Sequence, residues 1–280
     1  MTEIKITADD NGRILEKVLK EKGFSRRLIT YLKRSENGMT RNGMLVRTVD
    51  RVYENDVIVL DDRKKDNNII PNGDLKAGII YEDSDLVVFD KPPFMPVHPS
   101  INHQLDTLGN LFSFLYPDKT FRPVNRLDRD TSGCVVVAKN SYSANLLQKS
   151  CEKKYLCITE QIDFCGGRIC EPIARENESI ILRCVRDDGK YSATDWLNIA
   201  DKNGLSLIEC SLETGRTHQI RVHFSYKGYP LIGDKMYGGD CSEMKRQALH
   251  CSEVSFVRPS DRKRVRILSE LPADMKNILK

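Results

Sequence analysis

Asn125-Arg126-Leu127-Asp128-Arg129-Asp130-Thr131-Ser132-Gly133, followed by Cys134-Val135-Val136-Val137-Ala138, is the stretch on which the reading of this chain turns. The second half is a short apolar run rich in β-branched residues and reads as a strand. The first half is polar, charged and closed by a glycine, so it reads as the loop that feeds that strand. Asp128 stands two residues from Arg126 and next to Arg129. In an extended segment, residues 126 and 128 share a side. A carboxylate at a strand edge among guanidinium groups stays ionised, a state that serves a nucleophile or a general base. A structural Arg–Asp pair that only fixes the loop explains the same residues, and on this segment alone it is the stronger reading.

Working outward, Leu86 to Phe89, Leu156 to Ile162, Ile180 to Val185 and Leu205 to Cys210 are further short apolar or alternating runs that read as strands. Asp106 to Leu115 and Tyr142 to Lys149 read as helices between them. Many strands with few, irregularly spaced helices predict an α+β domain on a mostly antiparallel, mixed sheet. The chain has 280 residues, 40% hydrophobic and 30% charged, which suits about two globular domains and excludes wholesale disorder. No apolar run approaches the ~20 residues of a membrane span. The polar start, Met1 to Arg13, lacks the basic-then-apolar order of a signal peptide. Nine cysteines, with no C-x-x-C pair among them, argue for reduced thiols in a cytoplasmic protein rather than a disulfide framework or zinc ribbon.

Residues 1–62 read as a small separate α/β module, 63–76 as a linker within the polar stretch around Asp61 to Asp74, and 77–280 as the main domain. In the module, 13–22 reads as a short amphipathic helix ending at Gly23. Ser25 is the expected N-cap of a second helix that buries Leu28, Ile29 and Leu32. Asn42-Gly43 predicts a tight hairpin, and Val57 to Leu60 a closing strand. Between Arg13 and Arg47 there are ten basic residues against three acids, although the whole chain carries only +4. Arg26, Arg27, Lys33 and Arg34 fall on or beside the second helix. With few acids interspersed, that face is expected to meet nucleic acid rather than solvent alone.

Two other loops stand out. Asp90-Lys91-Pro92-Pro93 through Val97-His98-Pro99 follows a strand and is stiffened by proline, so it is either a rigid connector or a substrate-facing loop carrying Lys91 and His98. Glu213-Thr214-Gly215-Arg216-Thr217-His218-Gln219-Ile220-Arg221 places an expected N-cap, Thr217, before a helix at 218–227 stopped by Gly228. Arg216, His218, Gln219 and Arg221 then cluster at a helix start, where a phosphate or carboxylate is the natural guest. His218 and His223 are five apart, a poor register for a metal pair. There is no P-loop, G-x-G-x-x-G, H-E-x-x-H or G-x-S-x-G. The residues by themselves lead to a protein that acts on or binds nucleic acid.

The run from Arg126 to Gly133 resembles the signature of the RluA-type pseudouridine synthases. Four further segments agree in the same order: Lys91-Pro92 with Val97-His98-Pro99, Lys154-Tyr155, Thr214 through Arg221, and Gly233-Asp234 with Tyr237-Gly238. Residues 13–60 resemble the RNA-binding module named after ribosomal protein S-four. The resemblance implies an isomerase that converts chosen uridines of RNA to pseudouridine without cofactor or metal. It implies Asp128 as the catalytic carboxylate, Tyr155 packed on the target base with proton transfer as a second role open to its hydroxyl, and Arg221 paired with Asp128. It implies Arg126 entering the RNA in place of the flipped nucleotide, with Lys91, His98, Arg129, Arg216, His218 and Gln219 binding substrate. Flipping is what chemistry on a stacked base requires. Asn125 stands where the family usually has histidine, and Phe94-Met95 where it has a smaller pair. Ribosomal RNA of the large subunit is the first expected partner and transfer RNA the second, with the chain a monomer. A non-catalytic RNA-binding or assembly factor, and a glycosidase-like enzyme on free nucleosides, are the competing readings.

Overall fold

The computed structural model describes residues 2–61, 69–176 and 181–280. The first part is a four-stranded antiparallel sheet with two helices. Its elements are β1 (Thr2–Lys5), α1 (Leu15–Glu21), α2 (Arg26–Arg34), β2 (Met39–Arg41), β3 (Met44–Leu45) and β4 (Val57–Leu60), in sheet order β1-β4-β2-β3. Ser25 caps α2, its Oγ accepting the Leu28 N–H at 3.2 Å. Asn42 and Gly43 turn β2 into β3 with φ of 51° and 85°, the left-handed pair a two-residue hairpin needs. The first helix is shorter than the expected 13–22, because Arg13–Ile14 pairs with Arg51–Val52 in a small ladder. Leu15, Val18, Leu19, Leu28, Ile29 and Leu32 fill this region's own core.

The larger part is α+β. Its strands are β5 (Gly78–Glu82), β6 (Leu86–Lys91), β7 (Ser132–Ala138), β8 (Glu152–Glu160), β9 (Gly166–Cys170), β10 (Ala193–Lys202), β11 (Leu205–Leu212), β12 (Leu249–Val257) and β13 (Arg264–Leu268). The helices are α3 (Leu108–Leu115), α4 (Ser141–Ser150), α5 (Gln219–Tyr226) and α6 (Ala273–Ile278). One ten-stranded sheet runs β9-β10-β11-β8-β12-β7-β6-β5, with β13 beside β12 and Arg122–Pro123 beside β7. Its pairings are antiparallel except β7 against β12, which run parallel with Ser132 opposite His250 and Gly133 opposite Cys251. Every residue of β7 is buried, which accounts for its unbroken apolar run.

That parallel pair fixes the loop carrying Asp128. Gly133 has φ 107°, and a Cβ there would stand 2.2 Å from the Cys251 carbonyl oxygen, so only glycine fits. The strand expected at 180–185 forms at Arg183–Val185, and Ile180 lies outside the described residues. Of the stretch 63–76, residues 63–68 lie outside them too. The rest runs along α3, where the Asn110 side chain donates to the Ile70 carbonyl at 2.6 Å. The two cores share no member, and the parts meet where Phe24 stacks on Tyr142 at 4.4 Å. No helix among the described residues is long and apolar enough to cross a membrane.

Candidate active site

The Asp128 loop enters β7 through a turn in which the Thr131 N–H bonds the Asp128 carbonyl at 3.1 Å. Its clamps come from all sides. Asn125 is buried, donating to the Cys134 carbonyl at 3.0 Å and accepting the Val136 N–H at 2.8 Å. The amide acts as a strand partner, a structural use for Asn125. Arg246 donates to the Asp130 carbonyl at 3.1 Å, Gln247 to the Thr131 hydroxyl at 3.1 Å, and Ser132 pairs with His250 at 2.9 Å.

Lys91 is fully buried, and its ammonium donates to the carbonyls of Pro92 (2.9 Å), Met95 (2.8 Å) and Arg129 (3.0 Å). Burial pushes its pKa down to about 7, with Asp130 pulling the other way. Three donors meet three carbonyls, so Lys91 pins the Pro-stiffened loop to the Asp128 loop instead of reaching substrate. Phe94, on that loop, is exposed with φ 63°, while Met95 is buried.

Neither neighbouring arginine pairs with Asp128, a correction to the local reading. Arg129 is exposed and takes Asp130 (2.7 Å), and Arg126 is exposed with no hydrogen bond or ion pair among the described residues. The guanidinium comes from Arg221 on α5, whose Nη1 lies 3.1 Å from Asp128 Oδ2. Arg221 is itself buried and gripped by Asp234, Nε to Oδ2 at 2.6 Å and Nη2 to Oδ1 at 2.8 Å. Burial works against the Arg221 charge, but Asp234 and Asp128 outweigh it and raise its pKa. The guanidinium lies over the Tyr237 ring, 5.0 Å from its centroid. The anion at this helix start is therefore the protein's own pair of carboxylates.

The N-terminus of α5 also differs from expectation. Thr217 is exposed and does not cap. His218 holds that position with φ 59° and no side-chain cap bond. Gln219, the first helical residue, instead ties down the loop before the helix, its Oε1 accepting from the Arg216 N–H (3.0 Å) and the Thr214 hydroxyl (2.7 Å). Its amide nitrogen donates to the Ala193 carbonyl at 2.9 Å and the Thr194 hydroxyl at 3.1 Å. Gln219 is thus saturated and shapes the wall of the cleft. His223 faces away from His218, onto Thr194 (2.9 Å) and the Glu171 carbonyl (3.1 Å). Among the described residues no three of His, Cys, Asp and Glu stand where they could hold a metal ion.

Tyr155 sits on β8 where the register to β12 slips between Lys154 and Leu156, a bulge that re-aims its side chain toward Asp128. It is buried, and that burial first, then nearby Cys251 and Asp128, lifts its pKa well above the ordinary 10. Asp128, Tyr155, Arg126 and Arg216 line one cleft of about 460 Å³, and His218 and Gln219 line its inner end. His98 lies nearby, edge-on to Phe121 at 5.3 Å, and the partial desolvation of its ring, followed by the charge of Arg126, lowers its pKa. Asp234 and Tyr237 were visible in the sequence only as members of a motif. Nothing local marked them as the supports of Arg221.

In the first part of the chain, six of the ten basic residues reach acids. Arg13 takes Asp10 and Glu21, Lys22 takes Asp10, Lys20 and Lys33 share Glu16, Arg41 takes Asp56, and Arg47 takes Asp50. Lys33 thereby carries an exposed ion pair to Glu16 that, among the described residues, the other three expected residues lack. Arg26, Arg27 and Arg34 stay exposed and without ion pairs among the described residues, lining one concave face of α2 with Thr30 and Ser35.

The chain is similar to known proteins. Residues 85–226 match the family model described as RNA pseudouridylate synthase. A Bacillus subtilis (strain 168) protein named as an uncharacterized RNA pseudouridine synthase is 32% identical over 93% of this chain and 96% of its own length. A Pseudomonas aeruginosa protein named ribosomal large subunit pseudouridine synthase D is 33% identical over 89% of this chain and 84% of its own. Among solved structures, human RNA pseudouridylate synthase domain containing 1 superposes with a TM-score of 0.59 at 26% identity, covering 71% of this chain and 85% of that one.

Proposed function

This chain belongs to the RNA pseudouridylate synthase family and is an RNA pseudouridine synthase, an isomerase; on that premise we propose that it modifies large-subunit ribosomal RNA and that Asp128 is its catalytic carboxylate. The observation that carries the site is the chain of ion pairs from Asp234 through Arg221 to Asp128 Oδ2. It holds one carboxylate oxygen at the cleft floor. No hydrogen bond or ion pair reaches the other, Oδ1, among the described residues. A held, partly exposed carboxylate beside a buried aromatic is what cutting and rejoining a nucleoside bond calls for.

In this reading the target uridine leaves its stack and enters the cleft, and Tyr155 packs on the base. Its hydroxyl, with a pKa well above 10 through burial, keeps its proton, so its part is packing and donation. Arg126, unpaired at the rim, fills the gap the flipped nucleotide leaves. Arg216, His98 and the exposed Arg129, paired with Asp130 in the free protein, take backbone oxygens, and His218 sits behind the carboxylate. Lys91 and Gln219 act on the substrate only through the walls they hold. Arg26, Arg27 and Arg34 are proposed to meet phosphates and so to favour a long structured RNA. The name of the Pseudomonas aeruginosa relative supports the ribosomal assignment. Nine cysteines with no C-x-x-C pair among them suit a reducing compartment, and a monomeric cytoplasmic enzyme completes the reading.

The test is carbodiimide labelling of total RNA from cells with and without the gene. A labelled position in large-subunit RNA that vanishes with the gene supports the assignment. A position lost only from transfer RNA redirects it.

A further inference from the structure

His218 and Tyr237 form a pair behind the catalytic carboxylate. His218 Nε2 faces Asp128 Oδ2 at 3.7 Å, and its Nδ1 lies 2.8 Å from the Tyr237 hydroxyl. That hydroxyl oxygen already accepts the backbone N–H of Arg183 at 3.1 Å. A phenol has one hydrogen, and among the described residues the only acceptor within reach is Nδ1. If Nδ1 carried a proton, the hydroxyl hydrogen would have no partner inside a mostly buried site. The arrangement therefore selects an imidazole with Nδ1 bare and Nε2–H turned to Asp128. His218 pays for this position in backbone conformation, since a φ of 59° is unusual for a residue with a side chain. Arg221 Nη1 reaches the same Oδ2, and the Tyr237 ring also lies under that guanidinium.

We propose that Tyr237 is a positioning residue: by donating to His218 Nδ1 it fixes the neutral Nε2–H tautomer, so that His218 and Arg221 both address Oδ2 of Asp128 and leave Oδ1 as the reacting oxygen. The proposal rests on Asp128 being the catalytic carboxylate. It assigns roles to His218 and Tyr237 that differ from substrate binding. The 3.7 Å gap closes to a hydrogen bond when RNA excludes water from the cleft. The charged and titratable groups around His218 are Asp128, Arg221, Asp234, Arg183 and Tyr237. Burial, first among their effects, lowers the His218 pKa, which favours the neutral ring at physiological pH.

The test has one arm independent of activity. The full chain, labelled with ¹⁵N-histidine, is followed by two-bond ¹H–¹⁵N correlation between pH 5.5 and 8.5, with His218→Asn assigning the signals. The expected result is an Nε2–H tautomer that persists below the pH at which an ordinary histidine titrates. Tyr237→Phe keeps the ring under Arg221 but removes the hydroxyl, so tautomers should mix and the ring should protonate at higher pH. On a short stem-loop, Tyr237→Phe should lower kcat by ~10-fold or more with KM within about twofold, and its acid limb should move to higher pH. His218→Gln supplies a non-titrating amide donor near Nε2, and adding Tyr237→Phe to it should change the profile no further. An Nδ1–H tautomer in the parent, or Tyr237→Phe with a pH profile parallel to the parent's, overturns the proposal. Absence of isomerisation by the parent on any RNA would instead strike the functional reading, leaving the tautomer result intact.

Discussion

Replacing Asp234 by asparagine probes the support of the site without touching substrate. Asp234 is 1% exposed and Arg221 5%. Both Asp234 oxygens accept from the guanidinium, at 2.6 and 2.8 Å. Asparagine keeps one acceptor but turns an NH₂ toward an N–H donor, and it leaves the buried guanidinium with Asp128 as its one carboxylate. Breaking a buried pair from one side costs ~3–5 kcal/mol. The retained acceptor returns ~1 kcal/mol of that, so a loss of ~2–4 kcal/mol is expected, a fall in Tm of roughly 4–16 °C for a chain of this size. Turnover should fall further than stability requires, because Arg221 no longer holds Asp128 from a fixed position. The assay is thermal unfolding together with single-turnover isomerisation at a temperature where the variant is folded. The double change Asp234→Leu with Arg221→Met removes both buried charges and should recover most of the stability while staying inactive. Asp234→Asn with Tm and kcat both near the parent's would refute the reasoning, because the ion-pair chain would then be holding nothing.

Three further outcomes are expected. Tyr155→Phe should stay within about tenfold of the parent, because a hydroxyl that keeps its proton is not the base, whereas Tyr155→Ala should lose ~10²-fold or more in single-turnover rate. Changing Arg26, Arg27 and Arg34 together to glutamine should flatten the plot of log affinity against log salt for a long RNA by roughly two to three units, at −0.7 to −0.9 per phosphate contact, and an unchanged slope would return that face to solvent. Burial lowers the pKa of His218, His223 and His250 below the histidine value of the unfolded chain. The unfolded state then binds more protons as pH falls below about 6.5, so stability is full above that pH and declines below it, by at most ~1.4 kcal/mol per pH unit for each ring; urea titrations at pH 7.5 and 5.5 check the sign.

The sequence made local features legible. Ser25, Asn42-Gly43, the apolar run of β7 and the glycine stop after α5 each announce themselves within a few residues, because caps, hairpins and buried strands are local chemistry. The strands β5, β9, β10, β12 and β13 were not visible. They carry polar or exposed residues that blur the alternation, and long-range pairing decides them. The same division runs through the site. Asp128 stands out in its loop, but its guanidinium partner lies 93 residues on, and the local candidates Arg126 and Arg129 do not touch it. Lys91 reads as a free cation until three carbonyls converge on it. The basic run in the first part is thinned by Asp10, Asp50 and Asp56, acids that lie outside the window in which the charges were counted.

The most direct measurement is isomerisation by Asp128→Asn, read by carbodiimide labelling of a substrate RNA, with binding of the same RNA and thermal unfolding alongside. The side chains are nearly isosteric, so folding and RNA binding should hold while turnover falls by several orders of magnitude, as it does when an essential nucleophile is removed. Activity within about tenfold of the parent, a difference of only ~1.4 kcal/mol in barrier, would contradict Asp128 as the group that does the chemistry.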